Sequence, residues 1–126
     1  MPDPIPFPPF PALRGRRVLV VEDEYLLAED VGEELERQGA TVVGPVPSVR
    51  DALALLASEP APHAAILDIN LGGEMAYPVA DALRARGIPF VFATGYDAEA
   101  IPETYAGVPR IEKPVLLREI TAALAK

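Results

Sequence analysis

The chain has 126 residues, half of them apolar and 24% charged, which indicates one soluble domain with a sizeable core and excludes a disordered chain. Its net charge of −8 argues against sequence-independent binding to nucleic acid, which needs a basic surface, and the lack of cysteine excludes disulfides and thiolate metal sites. No apolar run approaches the roughly 20 residues of a membrane span and no signal-peptide pattern opens the chain, so we expect a cytoplasmic protein.

Residues 1–13 are predicted to be a proline-rich N-terminal extension that precedes a single domain over residues 14–126. Its prolines alternate with Ile5, Phe7 and Phe10, a pattern that excludes helix and central strand and favours an extended, polyproline-like segment. Two interpretations stay open: a docking peptide whose Phe side chains enter a pocket, and an extended lead-in without a partner.

Buried strands and amphipathic helices alternate along the rest of the chain. Short apolar runs predict strands at 18–21, 41–44, 64–68, 88–94 and 109–112, the type that is buried on both faces of a parallel sheet. Periodic apolar residues predict helices at 25–38, 48–58 and 78–86, one turn at 98–101, and a last helix after Pro114. The expected inner faces of the helices are Leu27, Val31 and Leu35; Val49, Leu53 and Leu56; Val79, Ala80 and Leu83; and Leu117, Ile120 and Leu124.

This alternation predicts an α/β fold with an open, doubly wound, five-stranded parallel sheet. In such sheets ligands bind at the carboxyl ends of the strands. The polar residues at those ends are Glu22 and Asp23, Asp68, Thr94 and Lys113. We therefore expect these side chains to converge on one crevice, whereas His63, the only histidine, is interpreted as a loop residue.

Three converging carboxylates favour a divalent cation, and all-oxygen ligands suit Mg²⁺. A carboxylate beside such a metal can act as a nucleophile toward phosphorus, which makes Asp68 the candidate acceptor of a phosphoryl group. Lys113, Thr94 and the main-chain N–H groups of the Gly72-Gly73 loop are then the donors for phosphoryl oxygens. The plainer alternative is that Lys113 only neutralises a buried acidic cluster and that Asp68 only begins a loop.

The sequence resembles the receiver domain of two-component response regulators over about residues 14–126. The resemblance is carried by four motifs at the strand ends: 18–24 (VLVVEDE), 66–71 (ILDINL), 93–95 (ATG) and 112–114 (EKP). It implies a flavodoxin-like or CheY-like (βα)5 fold with strand order 2-1-3-4-5.

For the site, the resemblance implies that Asp68 accepts a phosphoryl group from a phosphohistidine on a sensor kinase or phosphotransfer protein. It also implies that Asp23, Asp68 and the main-chain carbonyl of Asn70 bind Mg²⁺, with Glu22 reaching the ion through water. The family signals rather than turning over substrates, so the resemblance implies a self-phosphorylating phosphoacceptor and not an enzyme.

One position departs from the family pattern. The residue three before Lys113 is Arg110, where the family has the aromatic side chain that turns inward on activation. The segment 90–96 (FVFATGY) resembles the signature of the subgroup nicknamed FATGUY, which lacks that aromatic and often stands alone. Our hypothesis is that order in residues 95–107 replaces the rotamer switch. We expect a stand-alone receiver, or the receiver piece of a longer protein, whose output goes through protein contacts or phosphate transfer. The candidate contact surfaces are the first helix and the face near Arg110.

Two other classes of protein share parts of this pattern. A Mg²⁺-dependent phosphohydrolase with an aspartyl-phosphate intermediate is the main alternative, but such enzymes usually carry a second acid near the nucleophile, and Ile69, Asn70 and Leu71 supply none. A nucleotide or flavin binder on the same fold would need a glycine-rich turn after the first strand, where residues 22–24 are acidic instead.

Overall fold

The computed structural model of the chain describes residues 13–58, 60–94 and 101–112, without the side chains at positions 94, 111 and 112. Residues 1–12, residues 98–100 of the predicted helical turn and the predicted last helix lie outside this part. The elements are β1 (Arg17–Val21), α1 (Tyr25–Arg37), β2 (Thr41–Val46), α2 (Val49–Ala57), β3 (Ala64–Asp68), β4 (Asn70–Leu71), β5 (Glu74–Met75), α3 (Tyr77–Ala85), β6 (Phe90–Thr94), a 3₁₀ turn (Glu103–Tyr105) and β7 (Arg110–Glu112).

Five of the strands form one parallel sheet in the order β2-β1-β3-β6-β7. Because β4 and β5 form a separate antiparallel hairpin, this is the order 2-1-3-4-5 of the five predicted strands. The doubly wound, CheY-like α/β fold is therefore confirmed. The register pairs Val21 with Leu67 and Asp68 with Ala93, so that the carboxyl ends of the three central strands lie side by side.

The two faces of the sheet carry separate apolar clusters. Along β1, Val18 and Val20 point to the face covered by α1, whereas Leu19 and Val21 point to the face covered by α2 and α3. This alternation is the period of two that a strand imposes on its side chains. All four are at most 1% exposed, as expected for a parallel strand with helices on both faces.

The predicted end of α1 is confirmed in detail. Gly39 has a φ of +90°, a conformation that favours glycine, and its N–H donates to the carbonyl of Glu36 at 2.9 Å. The N–H of Ala40 donates to the carbonyl of Leu35 at 3.0 Å. These two bonds form a Schellman motif, which satisfies carbonyl groups that the helix leaves without partners.

The inner faces of α1 and α2 differ from the prediction at one position each. In α2 the buried residues are Val49, Ala52 and Leu56, and the predicted Leu53 is 37% exposed. In α1 Ala28 is buried, and the predicted Leu27 is only half-buried. In both helices an alanine is buried, and the leucine next to it in sequence is more exposed.

Several element boundaries move by one or two residues, and β2 is longer than predicted. β2 continues through Pro45 to Val46, since it is an edge strand of the described sheet, where a missing N–H is tolerated. Its register with β1 shifts between Leu19 and Val21, which accommodates Gly44 and Pro45 opposite a single residue. The peptide bond between Gly44 and Pro45 is cis.

Among the described residues, no helix is both long enough and apolar enough to cross a membrane.

Gly32 lies within α1 and Gly39 lies just after its end. Alanine substitution should change the stability of the protein in opposite directions at these two positions. A Cβ at Gly32 would lie 3.7 Å from a methyl carbon of Val42, an ordinary contact, so Gly32→Ala should stabilise the protein by about 0.5–1 kcal/mol. At Gly39 the positive φ and a 3.3 Å approach to Arg14 should make the same substitution cost about 1–2 kcal/mol. Urea unfolding of both variants tests this, and a stabilised Gly39→Ala variant would contradict it.

Candidate functional site

Three carboxylates meet at the carboxyl end of the sheet. Glu22 directly follows β1, Asp23 is the next residue, and Asp68 ends β3. One oxygen from each of Glu22, Asp23 and Asp68 lies within 4.8 Å of the others. Glu22 is 8% exposed and Asp68 3% exposed, whereas Asp23 is open to solvent. The structure thus brings together the three acids that the sequence placed at neighbouring strand ends.

Main-chain hydrogen bonds orient the two buried carboxylates. The N–H of Glu24 donates to Oε2 of Glu22 at 3.0 Å, and the N–H of Asn70 donates to Oδ1 of Asp68 at 3.1 Å. Both bonds span two residues, the local pattern by which acidic side chains fix the start of a loop. Each bond fixes one oxygen of the carboxylate that accepts it.

The segment after Asp68 is a hairpin and not the plain loop that the sequence predicted. β4 and β5 pair antiparallel through Asn70 with Met75 and Leu71 with Glu74, joined by Gly72 and Gly73. These glycines have φ values of +67° and +102°, and two positive φ angles are what a two-residue type I′ turn requires. A Gly-Gly pair between short runs is the signal that could have revealed this hairpin.

The hairpin lies close to the acids. The side-chain oxygen Oδ1 of Asn70 accepts a hydrogen bond from the N–H of Gly73 at 2.6 Å, which closes the turn. A Cβ at Gly72 would approach Oδ2 of Asp23 to 3.4 Å. The turn thus sits beside Asp23, and Asn70, a predicted metal ligand through its main-chain carbonyl, is held in a short ladder directly after Asp68.

The two remaining predicted site residues are only partly located. Thr94 ends β6, and its backbone follows Ala93, the residue that pairs with Asp68. The Thr94 side chain and the whole of Lys113, which comes directly after β7, lie outside the described part of the structure. Their roles at the site stay predictions.

His63 lies in the loop before β3, at the other end of the sheet from the acids. Its Nδ1 accepts a hydrogen bond from the N–H of Arg17 at 2.9 Å. Burial and the neighbouring charges of Arg17 and Arg16 lower the pKa of His63. The neutral ring therefore accepts a main-chain bond at the start of β1, and this histidine has no part in the acidic site.

Arg110 opens β7 and is exposed, so no aromatic side chain enters the core from that position. The buried aromatic of this region is Tyr105, five residues earlier and 7% exposed. Its ring stacks on Tyr77 with centroids 4.7 Å apart, and the guanidinium of Arg84 lies 5.1 Å from its centroid. Its hydroxyl donates to Oδ1 of Asp81 at 2.6 Å. Tyr105 therefore anchors the segment before β7 to α3.

A doubly wound parallel sheet with an acidic cluster at its carboxyl edge defines the class of α/β domains that bind ligands at strand ends. Within that class, the chain matches the family model for the response regulator receiver domain over residues 18–125. The chain belongs to this family, whose members are signalling domains of two-component systems.

Solved structures of receivers are similar to the chain in sequence and fold. The solution structure of SdrG from Sphingomonas melonis Fr1 is 43% identical, with 87% of this chain and 93% of that one covered and a TM-score of 0.79. The BeF3-activated conformation of SdrG, from Pseudomonas melonis Fr1, is 42% identical over 87% and 96% of the two chains, with a TM-score of 0.73.

A more distant match is the response regulator PhyR from Brucella abortus, which is 27% identical with a TM-score of 0.76. The match covers 90% of this chain and 49% of PhyR, so the chain spans about half of that protein. A search of curated proteins finds no match.

The Tyr105 anchor gives a prediction for stability and its pH dependence. Burial, the hydrogen bond to Asp81 and the charge of that group raise the pKa of Tyr105 from 10 to about 12. Because the folded-state pKa is the higher one, the stabilisation is complete below pH 10 and falls as the pH rises from 10 towards 12. Tyr105→Phe should cost about 1.5–3 kcal/mol at neutral pH, the range for a hydrogen bond to a charged group.

Urea unfolding at pH 8 and at several values above pH 10 measures both effects, with Tyr25→Phe as the control because Tyr25 is 74% exposed. The wild type should lose stability at alkaline pH, and Tyr105→Phe should lose less. Equal alkaline losses in the wild type and Tyr105→Phe would contradict the assignment.

Proposed function

We propose that the chain is a phosphoacceptor receiver in which Asp68 takes a phosphoryl group from a phosphohistidine of a sensor kinase or phosphotransfer protein. The observation that carries the proposal is the acidic cluster, in which Glu22 and Asp68 are buried and lie within 4.8 Å of each other and of Asp23. Membership of the receiver family supports it. The proposal places the protein in the cytoplasm, where phosphoryl groups derived from ATP are available.

The donor set at the site fits Mg²⁺. The three carboxylates each offer one oxygen within 4.8 Å of the others, and Mg²⁺ prefers oxygen ligands of this kind. Asp23, Asp68 and the main-chain carbonyl of Asn70 would hold the ion, with Glu22 as the acid that acts through water. When bound, Mg²⁺ would offset the charge of the carboxylates and of the phosphoryl oxygens.

The residues of the chain have distinct roles in the transfer. A carboxylate oxygen of Asp68 forms the new bond to phosphorus while the bond from phosphorus to the histidine nitrogen breaks, and that nitrogen keeps the electron pair and takes a proton. The N–H of Asn70 fixes the orientation of the Asp68 carboxylate throughout. The ammonium of Lys113 and the hydroxyl of Thr94 would bind the phosphoryl oxygens, whose negative charge grows in the transition state.

The start of α1 is the surface that we assign to the phosphodonor. Tyr25 and Leu26 are 74% and 72% exposed and come two and three residues after Asp23 in sequence, so an apolar patch lies close to the acidic cluster. Exposed apolar side chains beside a site often mark a protein interface. A donor that covers them would bring its phosphohistidine close to Asp68.

Activation in this chain proceeds without an aromatic at position 110, as in the FATGUY-like subgroup. The exposed Arg110 and the anchored Tyr105 both support this assignment. SdrG, which is 42% identical, has a BeF3-activated conformation, and a BeF3 group on a carboxylate has the tetrahedral shape of a phosphoryl group. The proposed response is a change of order in residues 95–107.

Phosphorylation is tested by incubation with acetyl phosphate and Mg²⁺. The wild type should gain the mass of one phosphoryl group, because acetate leaves as the Asp68 carboxylate attacks phosphorus. Asp68→Asn should gain none, and Glu34→Gln is a control because Glu34 is a buried acid of α1 that bonds to Gln38 instead. Labelling of Asp68→Asn at the wild-type level, or multiple turnover of a phosphomonoester, would overturn the proposal.

The response of residues 95–107 is tested by amide relaxation of the wild type, with and without Mg²⁺ and beryllofluoride. Order parameters should rise in this segment, whereas those of α2 should stay constant. Unchanged order across residues 95–107 would contradict the proposed route while leaving the phosphoryl chemistry intact.

A further inference from the structure

The hairpin after Asp68 is attached to the start of α2. Oε1 of Glu74, in β5, accepts a hydrogen bond from the N–H of Val49 at 3.3 Å. Val49 is the first residue of α2, and the cap residue Ser48 uses its side chain to accept from the N–H of Asp51 at 3.1 Å. Two side chains thus accept hydrogen bonds from the N–H groups of this helix end. One of them, that of Glu74, lies 25 residues further along the chain than Val49.

This contact has a clear physical basis. The first N–H groups of a helix have no partner inside the helix, and the helix end carries partial positive charge that favours a carboxylate. Leu71 and Val49 belong to the same buried apolar cluster, so the hairpin and the helix end also share the core. Glu74 therefore holds β5 at a defined position relative to α2.

Strand pairing within the hairpin connects this contact to the acidic cluster. Glu74 pairs with Leu71, and Met75 pairs with Asn70, whose N–H donates to the Asp68 carboxylate. The N–H of Ala76 donates to the carbonyl of Ile69 at 2.8 Å and closes the base of the hairpin. The hairpin is thus fixed at its base and, through Glu74, at its side.

We propose that Glu74 is a positioning residue for the acidic site. Its bond to Val49 holds the hairpin so that the N–H of Asn70 keeps the Asp68 carboxylate in one orientation and the carbonyl of Asn70 stays directed for cation binding. This inference rests on the proposed function, because it assigns the hairpin a part in the Mg²⁺-dependent chemistry of Asp68. Glu74 acts through the hairpin and touches neither the phosphoryl group nor the ion.

Three variants of the full chain separate positioning from charge and from stability. Glu74→Ala removes the acceptor and the charge, Glu74→Gln keeps an oxygen acceptor without the charge, and Ser48→Ala removes the other cap of the same helix end. Mg²⁺ affinity is measured by calorimetric titration, and the free energy of unfolding by urea. Circular dichroism confirms that each variant is folded.

We expect Glu74→Ala to weaken Mg²⁺ binding roughly tenfold, as loss of a residue that orients metal ligands typically does. Glu74→Gln should stay within about threefold of the wild type, since its amide oxygen can accept the bond from Val49. Ser48→Ala should lower the urea concentration at the midpoint of unfolding and leave Mg²⁺ affinity unchanged. Phosphorylation rates with acetyl phosphate should follow the same order.

Other results overturn the inference in distinguishable ways. Equal Mg²⁺ affinity in Glu74→Ala and the wild type removes the positioning role and leaves the proposed function standing. Equal weakening in Glu74→Gln and Glu74→Ala shows an effect of charge instead. Equal weakening in Ser48→Ala shows that helix stability alone is responsible. A wild type that binds no Mg²⁺ overturns the inference together with the proposed function.

Discussion

Repulsion between carboxylates at the ends of two neighbouring parallel strands is the constraint around which this molecule is organised. The register that pairs Val21 with Leu67 brings Glu22 and Asp68 to the same edge, and both are buried. Removing charged groups from water costs free energy unless hydrogen bonds or a counter-charge compensate. Main-chain N–H groups at Glu24 and Asn70 supply part of that compensation. The proposed cation would supply the rest of the compensation.

The sheet can hold acids at its carboxyl edge because its core is apolar on both faces. Apolar packing fixes the register of the strands, and no polar group is needed for this. Residues 18–21 are almost fully buried, and their alternation between two clusters fixes which face each helix covers. A shift by one residue would move each side chain of the strand to the opposite face and so into the other cluster. The positions of the strand ends are therefore fixed, and so are the positions of the acids at those ends.

The sequence predicts the sheet well because its strands are short, apolar and separated by helical periods. The convergence of Glu22, Asp23 and Asp68 follows from parallel topology alone, and the structure confirms their proximity. The hairpin at Asn70–Leu71 and Glu74–Met75 was not predicted, since strands of two residues carry no periodic signal. The contact from Glu74 to Val49 joins residues far apart in sequence, so no local sequence pattern predicts it. Leu53 was wrongly placed in the core, because the buried face of α2 contains the residue three positions after Val49, Ala52, and not the residue four positions after it.

A switch that works by rotating an aromatic side chain needs that side chain to have two positions of similar energy. Arg110 offers no aromatic, and Tyr105 is held by a hydrogen bond, a stacked ring and a guanidinium, which together favour one position. Tyr105 is thus suited to be a fixed point, from which β7 starts in register with β6. Tyr105 is therefore not the side chain that rotates, and the proposed route from Asp68 to the surface is a change of order in the rest of residues 95–107.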